Sequence, residues 1–414
     1  MLFRSRNGTG GDVLTLSGAY VGSGKALLGL DVTAGGADRL VIGGAATGST
    51  AILLDVTPEG AKLLGSPVQL VKVGAGSAAS AFTLANASVG LVQYSLAFDA
   101  ASGSFGLSAQ AGAPVYRLLK LDEGAQAIWN QSADAWSSHM ADLRDLPGQG
   151  GLWGQAYGSV ANRNETRSIA GAAYSFDYRQ DFFGGQAGYD FGGDKLVFGV
   201  TAGYLNSNLN MQGSGERIRY DSLNVGGYVG YNAGAFFVNG LAQYAHYWAI
   251  ARDRIAVWSE DTNGDDIGGK IEIGARLGSG KFFAEPIAAV AYQRSSFGAL
   301  QALGQTIDPE NNSGFTGSLG ARLGSSFGLK GGAKATVYAR GLYVHQFDGE
   351  GALTFDSGST SERLVNRRLG DYGQFALGLN IGGTGKVSGF LEGNATAGKN
   401  GSGGGGRVGL RFKF

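Results

Sequence analysis

Four oxygen-bearing side chains have the spacing of a calcium-binding loop. Asp261, Asn263, Asp265 and Glu272 match positions one, three, five and twelve of an EF-hand loop. Asp266 stands where the sharp turn of that loop requires glycine, and Glu272 also fits the inward face of a strand. The segment therefore favours a solvated acidic surface loop over a structural metal site.

Histidine-based catalysis has weak support in this sequence. The chain contains no cysteine and three histidines, His139, His246 and His345. Disulfides, thiolate metal sites and cysteine nucleophiles are therefore excluded. His139 falls in a predicted helix, and neither His246 nor His345 has a serine or carboxylate at a spacing that suggests a catalytic group. We predict that the chain is not an enzyme and needs no cofactor.

The composition indicates many short strands and no affinity for polyanions. The 414 residues carry 33 basic and 33 acidic side chains, so the formal net charge is +0 and nucleic acid is not an expected partner. Glycine is abundant, with 75 residues, but it follows no collagen repeat. The sequence has no run of about 20 apolar residues that could form a spanning helix. If the chain enters a membrane, it must do so as a β-barrel.

The first ten residues do not match a signal peptide, because no apolar segment follows their arginines. A barrel protein needs such a signal to reach the outer membrane. We therefore expect this sequence to be part of a longer protein.

Short strands punctuated by glycine and polar residues are predicted from residue 11 to about residue 112. They are 13–16, 26–32, 39–42, 51–56, 68–71, 82–84 and 92–98. They recur at intervals of roughly 12 to 25 residues, which favours the coils of a β-solenoid. The similarity between the repeats is weak, so a small β-sandwich is the alternative.

Residues 121–145 are predicted to form a helix that crosses a pore. The segment is rich in alanine, begins with acids and ends with a basic residue, as the helix dipole favours. Ile128, Trp129 and Trp136 fall on one apolar stripe, whereas Asn130 lies on a polar face that suits a wet lumen. At 1.5 Å per residue the helix would be about 36 Å long, enough to cross an outer membrane. A domain linker helix is the alternative.

Twelve later segments alternate in hydrophobicity as the strands of membrane barrels do. They are 152–161, 179–191, 195–206, 218–232, 235–250, 268–279, 281–293, 314–327, 333–346, 371–383, 385–397 and 404–414. Every second connection is brief, and the others are longer and polar, for example 251–267 and 347–370. This asymmetry is typical of an up-and-down barrel with both ends in the periplasm. A soluble sandwich would alternate too, but it would not require this regular pattern of connections.

Charged residues of these strands are predicted to face the lumen, because a cation is costly against hydrocarbon. The predicted lumen-facing residues are Lys270, Glu272, Arg276, Glu285 and Arg411. Inward glycines, namely Gly226, Gly274 and Gly409, would leave room for the helix. The aromatic residues that fit a girdle at the membrane interface are Tyr244, Tyr247, Trp248 and Tyr343.

Together these features resemble the C-terminal part of the classical autotransporters, the type V secretion family. The resemblance rests on the helix ending in Leu143-Arg-Asp145, Trp153 at the start of the first strand, Gly185-Gln-Ala-Gly-Tyr-Asp190 in the second, and Glu285-Pro286 with Tyr292 in the seventh. Their order and spacing cover about 260 residues. The preceding region is similar to the end of a pertactin-like passenger, notably in Gly35-Gly-Ala-Asp-Arg-Leu-Val-Ile-Gly43.

The resemblance implies an all-β outer-membrane translocator that exports its N-terminal passenger. It implies three parts: a right-handed β-helix with an autochaperone role over 1–115, a pore helix over 116–150 and a 12-stranded antiparallel transmembrane β-barrel over 151–414. Phe412 and Phe414 would be read by the barrel assembly machinery. Periplasmic chaperones and outer-membrane lipid or lipopolysaccharide are the other implied partners. The protein would be a monomer in the outer membrane of a Gram-negative bacterium, with its passenger on the cell surface.

One departure from the family concerns passenger release. Some members cleave the chain between paired asparagines in the lumen helix, but here Asn130 is followed by Gln131. Self-cleavage by that route is not expected. Two other functions are open at this point: an outer-membrane channel or surface adhesin whose barrel and loops are themselves the function, and a soluble all-β surface protein.

Overall fold

The region before the helix forms two sheets of stacked strands. The computed structural model describes residues 2–5, 7–33, 36–146, 151–255, 258–278, 281–383 and 385–413. The first sheet contains the neighbours Leu2–Ser5, Tyr20–Thr33, Ala46–Asp55 and Phe82–Leu84, with Gly36–Ala37 beside them. The second has the order Val13–Leu16, Arg39–Ile42, Val68–Lys72, Ser104–Ala111, Val92–Asp99 and Ser88–Val89. A short 3-10 helix, Ala79–Ala81, precedes Phe82–Leu84.

Parallel pairing between successive coils distinguishes a solenoid from a sandwich. Leu14 pairs with Leu40, and Leu28 pairs with Ile52, each partner lying one coil further along the chain. A sandwich built from hairpins would pair its strands antiparallel instead. The stacked sheets therefore have the arrangement of a β-solenoid.

An antiparallel hairpin closes the last coil of this solenoid. Val92–Asp99 and Ser104–Ala111 pair along their whole length. Phe105, from the second of these strands, packs edge-on against Phe82 with ring centroids 5.1 Å apart and lies 4.6 Å from the Phe98 ring. Such aromatic contacts add to the stabilisation from buried area. The hairpin thus covers the end of the solenoid core.

Twelve antiparallel strands form a closed barrel. They are β1 (Gly151–Arg163), β2 (Tyr178–Gly192), β3 (Leu196–Met211), β4 (Glu216–Ala233), β5 (Phe236–Asp253), β6 (Trp258–Ala275), β7 (Phe282–Phe297), β8 (Asn312–Gly328), β9 (Lys334–Asp348), β10 (Tyr372–Gly382), β11 (Val387–Gly398) and β12 (Gly401–Lys413). β12 pairs with β1 along its whole length, which closes the sheet into a ring. The predicted strand number and antiparallel order are confirmed.

The side chains of the barrel wall alternate between lipid and lumen. On β12, Val408 and Leu410 are 54% and 49% exposed on the outer face, while Arg407 and Arg411 are 4% and 5% exposed on the inner face. Because hydrocarbon cannot solvate a guanidinium, this alternation fixes which face of each strand points outward. The described part of the chain has no helix long and apolar enough to cross a lipid bilayer.

Two long connections predicted as loops are largely extended strand. β5 continues to Asp253 and β6 begins at Trp258, so the prediction of a loop over 251–267 was wrong. The segment 347–370 contains a hairpin, Ala352–Ser357 with Thr360–Val365. Above the membrane both strand faces can be polar, so the hydrophobic alternation fades although the backbone pairing continues.

Further hairpins lie at the same end of the barrel. Leu300–Ala302 and Gln305–Pro309 join the 352–365 hairpin in a four-stranded sheet, and Thr166–Ile169 pairs with Ala172–Ser175. The opposite end has short turns, for example at Gly234, whose φ of +63° suits glycine, and a 3-10 turn at Lys330–Gly332.

The prediction for Tyr247 was wrong. It was expected on the lipid-facing girdle, but it is fully buried inside the barrel and its hydroxyl donates to the Ala125 carbonyl at 3.3 Å. Trp248, the next residue, and Tyr244, three residues earlier, do face outward. In a strand the side-chain direction reverses at each residue, so only one of two adjacent aromatics can join the girdle.

Candidate functional site

The lumen of the barrel holds a long helix. A first turn, α1 (Ala113–Leu118), follows the solenoid and leads into α2 (Lys120–Asp145), whose 26 residues extend about 39 Å. Most of its side chains are buried, including Ile128, Trp129 and Trp136, while Asn130 is half-buried.

Glycines on the wall make room for the bulky side chains of α2. A Cβ atom at Gly268 would lie 2.6 Å from the Trp129 ring, and one at Gly230 would lie 2.4 Å from the Met140 methyl group. Gly226, Gly274 and Gly409 were predicted to leave room for the helix. This prediction was wrong, because side chains of the wall occupy the space beside them. The wall side chains there are Leu241 beside Gly226, Phe237 beside Gly274 and Phe390 beside Gly409.

A buried cluster of ion pairs fixes the C-terminal end of α2. Asp145 accepts hydrogen bonds from Arg322 and Arg276, the latter at 2.9 Å. Glu285 lies 3.2 Å from both of these arginines. Arg144 on the helix approaches Glu285 at 3.4 Å. The Asp145, Glu285 and Arg322 side chains are at most 1% exposed, so none of these charges could be removed without leaving another uncompensated.

Glu272 completes the balance of charges in this cluster. Its carboxylate lies 3.9 Å from Arg144 and accepts a hydrogen bond from Asn239 at 3.1 Å. Three arginines then face three carboxylates. The helix supplies one charge of each sign and the wall supplies the remainder.

A second cluster lies about one turn earlier on α2. Asp142 accepts two hydrogen bonds from Arg407, at 2.8 and 3.2 Å. Arg407 also lies 3.5 Å from Glu392, which accepts a hydrogen bond from Tyr338 at 2.6 Å. Ser138 on the helix donates to Glu392 at 3.3 Å. The helix is thereby tied to Arg407 on β12, the strand that closes the barrel.

His139 belongs to a buried network that joins the helix to the wall. Its Nε2 atom lies 3.0 Å from Asp190, which also accepts a hydrogen bond from Tyr228 at 2.7 Å. Trp153 donates to the Tyr228 hydroxyl at 2.9 Å and stacks on the His139 ring at 4.1 Å. Arg411 lies 3.5 Å from Asp190. Trp153 and Asp190, both quoted for the family resemblance, thus meet at the helix.

The opposite end of α2 is held by the long connections. Lys120, 1% exposed, lies 2.7 Å from Glu123 and 2.7 Å from Glu165, and it donates to the Asn366 side-chain oxygen at 2.9 Å. Glu123 also lies 3.1 Å from Arg163. Since Glu165 precedes the first outer hairpin and Asn366 follows the last, this end is anchored to the segments beyond the membrane.

One side of the helix remains separated from the wall by a polar cavity. The cavity measures about 150 Å³, and its lining includes Asn130, Asp134 and Gln374. Asp134 lies 2.6 Å from Lys270 and accepts a hydrogen bond from Gln374 at 3.0 Å. These polar groups are suited to hold water beside the helix.

The residues predicted to face the lumen all lie inside the barrel. Lys270 and Arg276 reach α2 through Asp134 and Asp145, while Arg411 donates to the Leu146 carbonyl at 3.2 Å. Phe412 is on the outer face, 39% exposed. Phe414, the other residue of the predicted assembly signal, lies outside the described residues.

The candidate calcium loop is not a loop. Asp261, Asn263 and Asp265 point outward from β6, whereas Glu272 points into the lumen. Within the described ranges, no group of three or more histidine, cysteine or acidic residues could hold a metal ion. The prediction of a surface loop here was wrong as well, because the spacing that matched an EF-hand is also the two-residue repeat of a strand.

Two histidines lie beside carboxylates that are distant in the sequence. His246 Nδ1 lies 2.8 Å from Asp265, and His345 Nδ1 lies 2.7 Å from Asp371. Asp265 lies on β6 and Asp371 directly precedes β10, and each accepts a hydrogen bond from a tyrosine, Tyr244 or Tyr343, at 2.5 Å. Only the strand register could have revealed these pairs.

Replacing Arg322 should loosen the fit between helix and barrel. Arg322→Gln leaves Asp145 and Glu285 buried with less compensating charge, which we expect to destabilise the folded barrel by about 3–5 kcal/mol. The measurement is the temperature at which the protein in detergent changes from its folded to its unfolded gel mobility.

Arg363→Gln is the matched control, because Arg363 forms an exposed pair with Glu310 at 2.6 Å. We expect the transition to fall clearly for Arg322→Gln and to stay in place for the control. Equal transitions in the two variants would contradict the role of the buried cluster.

Sequence comparisons match both parts of the chain to known families. The family model described as Autotransporter beta-domain matches residues 152–394, and the one described as Pertactin matches residues 3–109. Pertactin autotransporters of Bordetella bronchiseptica and Bordetella parapertussis are each 29% identical over 245 residues, covering 55% of this chain and 25% of theirs. The chain therefore spans about a quarter of the length of these curated relatives.

Solved structures share the fold at low sequence identity. The translocator domain of the autotransporter NalP from Neisseria meningitidis has a TM-score of 0.53 and 18% identity, covering 73% of this chain and all of that one. The transport unit of the autotransporter AIDA-I from Escherichia coli has a TM-score of 0.51 and 15% identity, covering 64% of this chain and 90% of that one. With a family match over more than half of its length, this chain belongs to the autotransporter β-domain family, whose barrel is an outer-membrane translocator.

Proposed function

We propose that the barrel anchors the chain in the outer membrane and delivers the solenoid to the cell surface, with α2 left in the pore after export. The observation that carries this proposal is the course of α2. It begins at the end of the solenoid and finishes at Asp145, beside the start of β1 at the other end of the barrel.

The turn lengths support this orientation. The connections after β2, β4, β6, β8 and β10 are short, while those at the other end carry the extra hairpins. In bacterial barrels the short turns face the periplasm and the longer loops face outward. Asp145 would then lie near the periplasm, and Lys120 near the cell exterior.

Contacts of the solenoid support the same direction. Lys62 donates to the Gly304 carbonyl at 3.1 Å, and the Leu63 amide donates to Ser357 at 3.0 Å. Gln305 donates to the Ala61 carbonyl at 2.6 Å. The partners lie in the four-stranded sheet built by the long connections, so the solenoid rests on the outer end of the barrel.

The covered last coil fits an autochaperone role. Its hairpin is closed by local antiparallel pairing and packs Phe105 under Phe82, so it can form before the coils that precede it in the chain. Each earlier coil would then add to an existing edge, as solenoid repeats do. Folding outside the cell would oppose backsliding through the pore.

The packed lumen favours a translocator over an open channel. Trp129 and Trp136 are at most 1% exposed, and the helix contacts the wall at both ends. The barrel of this family is not an enzyme, and any enzymatic activity would reside in passenger sequence. Because Asn130 lacks a following asparagine, we propose that the passenger stays attached or is cut by another protease.

The assembly partners follow from family membership in general terms. Outer-membrane barrels of this family depend on the barrel assembly machinery. We propose that Phe412 and Phe414 form the signal it reads, that periplasmic chaperones escort the chain, and that the mature protein is a monomer.

Protease added to intact cells tests the direction of export. In cells that export the chain, we expect an external protease to remove the solenoid and to leave a membrane fragment that begins near α2. The Phe105→Ala variant should be cut faster, because losing a buried phenylalanine costs about 3–5 kcal/mol. An uncut solenoid on an inserted barrel would refute the proposal, and gel mobility in detergent reports insertion independently.

Phe414→Ala tests the assembly signal. We expect less barrel in the outer membrane and more periplasmic degradation, because the variant lacks the terminal aromatic side chain that the assembly machinery would recognise. The measurement is the amount of folded protein in outer-membrane fractions, with Phe347→Ala as an exposed aromatic control. Unchanged levels of the Phe414 variant would count against this signal.

A further inference from the structure

Four arginines crowd the outer ends of β4 and β5. Arg217 and Arg252 are directly opposite each other in the strand register. Arg219 lies two residues from Arg217 on the same face, and Arg254 follows the end of β5. Like charges directly opposite across a strand pair are destabilising. Although the whole chain has no net charge, cationic side chains are concentrated at this place.

The carboxylates of this face neutralise only part of the cluster. Asp221 binds Arg219 at 3.2 Å, and Asp261 on β6 is two residues out of register with Arg252. Arg217 is repelled by the three other arginines. Its polar partner is an uncharged group, the Asn208 side-chain oxygen. Among described residues, the buried Nε atoms of Arg217 and Arg252 have no hydrogen-bond partner.

The cluster lies just beyond the apolar band of the barrel. On β4 the lipid-facing residues from Tyr231 to Leu223 are apolar, and Arg219 lies four residues beyond Leu223 towards the outer end of the strand. At 3.4 Å per residue this is about 14 Å along the strand. With the usual tilt of barrel strands it is about 10 Å along the membrane normal. The guanidinium groups therefore lie at the level of lipid headgroups.

An apolar groove crosses the outer wall below the level of the arginines. It extends across β2 to β6, and on β3, β4 and β5 it is lined by the small residues Ala202, Gly227 and Ala242, with Val225 and Tyr244 at its sides. A Cβ atom at Gly227 would meet its nearest neighbour only at 3.9 Å, so the groove floor is open. The groove has the shape and polarity for an acyl chain.

We propose that the outer wall of β3 to β5 binds an anionic glycolipid of the outer leaflet, lipopolysaccharide, with its phosphates on the arginines and an acyl chain in the groove. Several phosphates on one headgroup match several guanidinium groups, each of which can bind phosphate through two hydrogen bonds. The assignment to the outer leaflet rests on the proposed orientation. The bound lipid would offset the repulsion between Arg217 and Arg252.

Lipid retention by the purified full chain tests this site. We compare wild type with the double variant Arg217→Gln/Arg252→Gln in vesicles of phosphatidylcholine that contain lipid A, and measure bound lipid A by native mass spectrometry. We expect the double variant to bind lipid A at least about tenfold more weakly. Arg179→Gln is the matched control, because Arg179 lies on the outer face of β2 and pairs with Asp181 at 2.9 Å. It should bind like wild type.

Further experiments identify the anion that binds and test whether the groove contributes to lipid binding. Phosphatidylglycerol should bind more weakly than lipid A, and inorganic phosphate should not displace lipid A. Gly227→Leu should reduce lipid A binding while leaving the folded gel mobility unchanged. Equal lipid A binding by wild type and the double variant would overturn the proposal, as would displacement by inorganic phosphate alone. Both results would leave the protease test of export unaffected.

Discussion

Charge neutrality inside the lumen is the constraint on which the rest of the structure depends. The wall can keep its cations away from lipid only by pointing them inward, where they need partners. Asp142 and Asp145 of α2 supply those partners for Arg407 and Arg322. The helix is therefore part of the barrel's electrostatics as well as its plug, and strand alternation, helix position and pore closure all follow from the same requirement.

Much of this could be predicted from sequence because the barrel repeats simple patterns. Alternation along β12 separates Val408 from Arg407 whatever the neighbouring strands do, and a polar helix with a tryptophan stripe suits a wet lumen. Contacts between strands could not be predicted in this way. The His246–Asp265 pair depends on register, and so does the identity of the glycines that admit Trp129. Strand ends beyond the membrane were also missed, because both faces there meet water and the alternation fades.

The two faces of the wall thus have separate tasks. The inner face binds one helix of the same chain through compensated charges and small residues. The outer face is apolar through the membrane and changes to arginine, histidine and aspartate above it. Beyond that level the long connections form sheets that hold the solenoid, which links the exported segment to the barrel that exports it.

The most direct test of the central claim is a disulfide between helix and wall. The Ser132 hydroxyl lies 3.3 Å from the Asn224 side-chain oxygen inside the pore, and the native chain has no cysteine. A helix held in the lumen predicts that Ser132→Cys/Asn224→Cys forms a disulfide in the outer membrane of intact cells under mild oxidation. The control pair Ser132→Cys/Val225→Cys should not, because Val225 faces lipid. Absence of the first disulfide, or equal formation of both, would contradict a plugged pore.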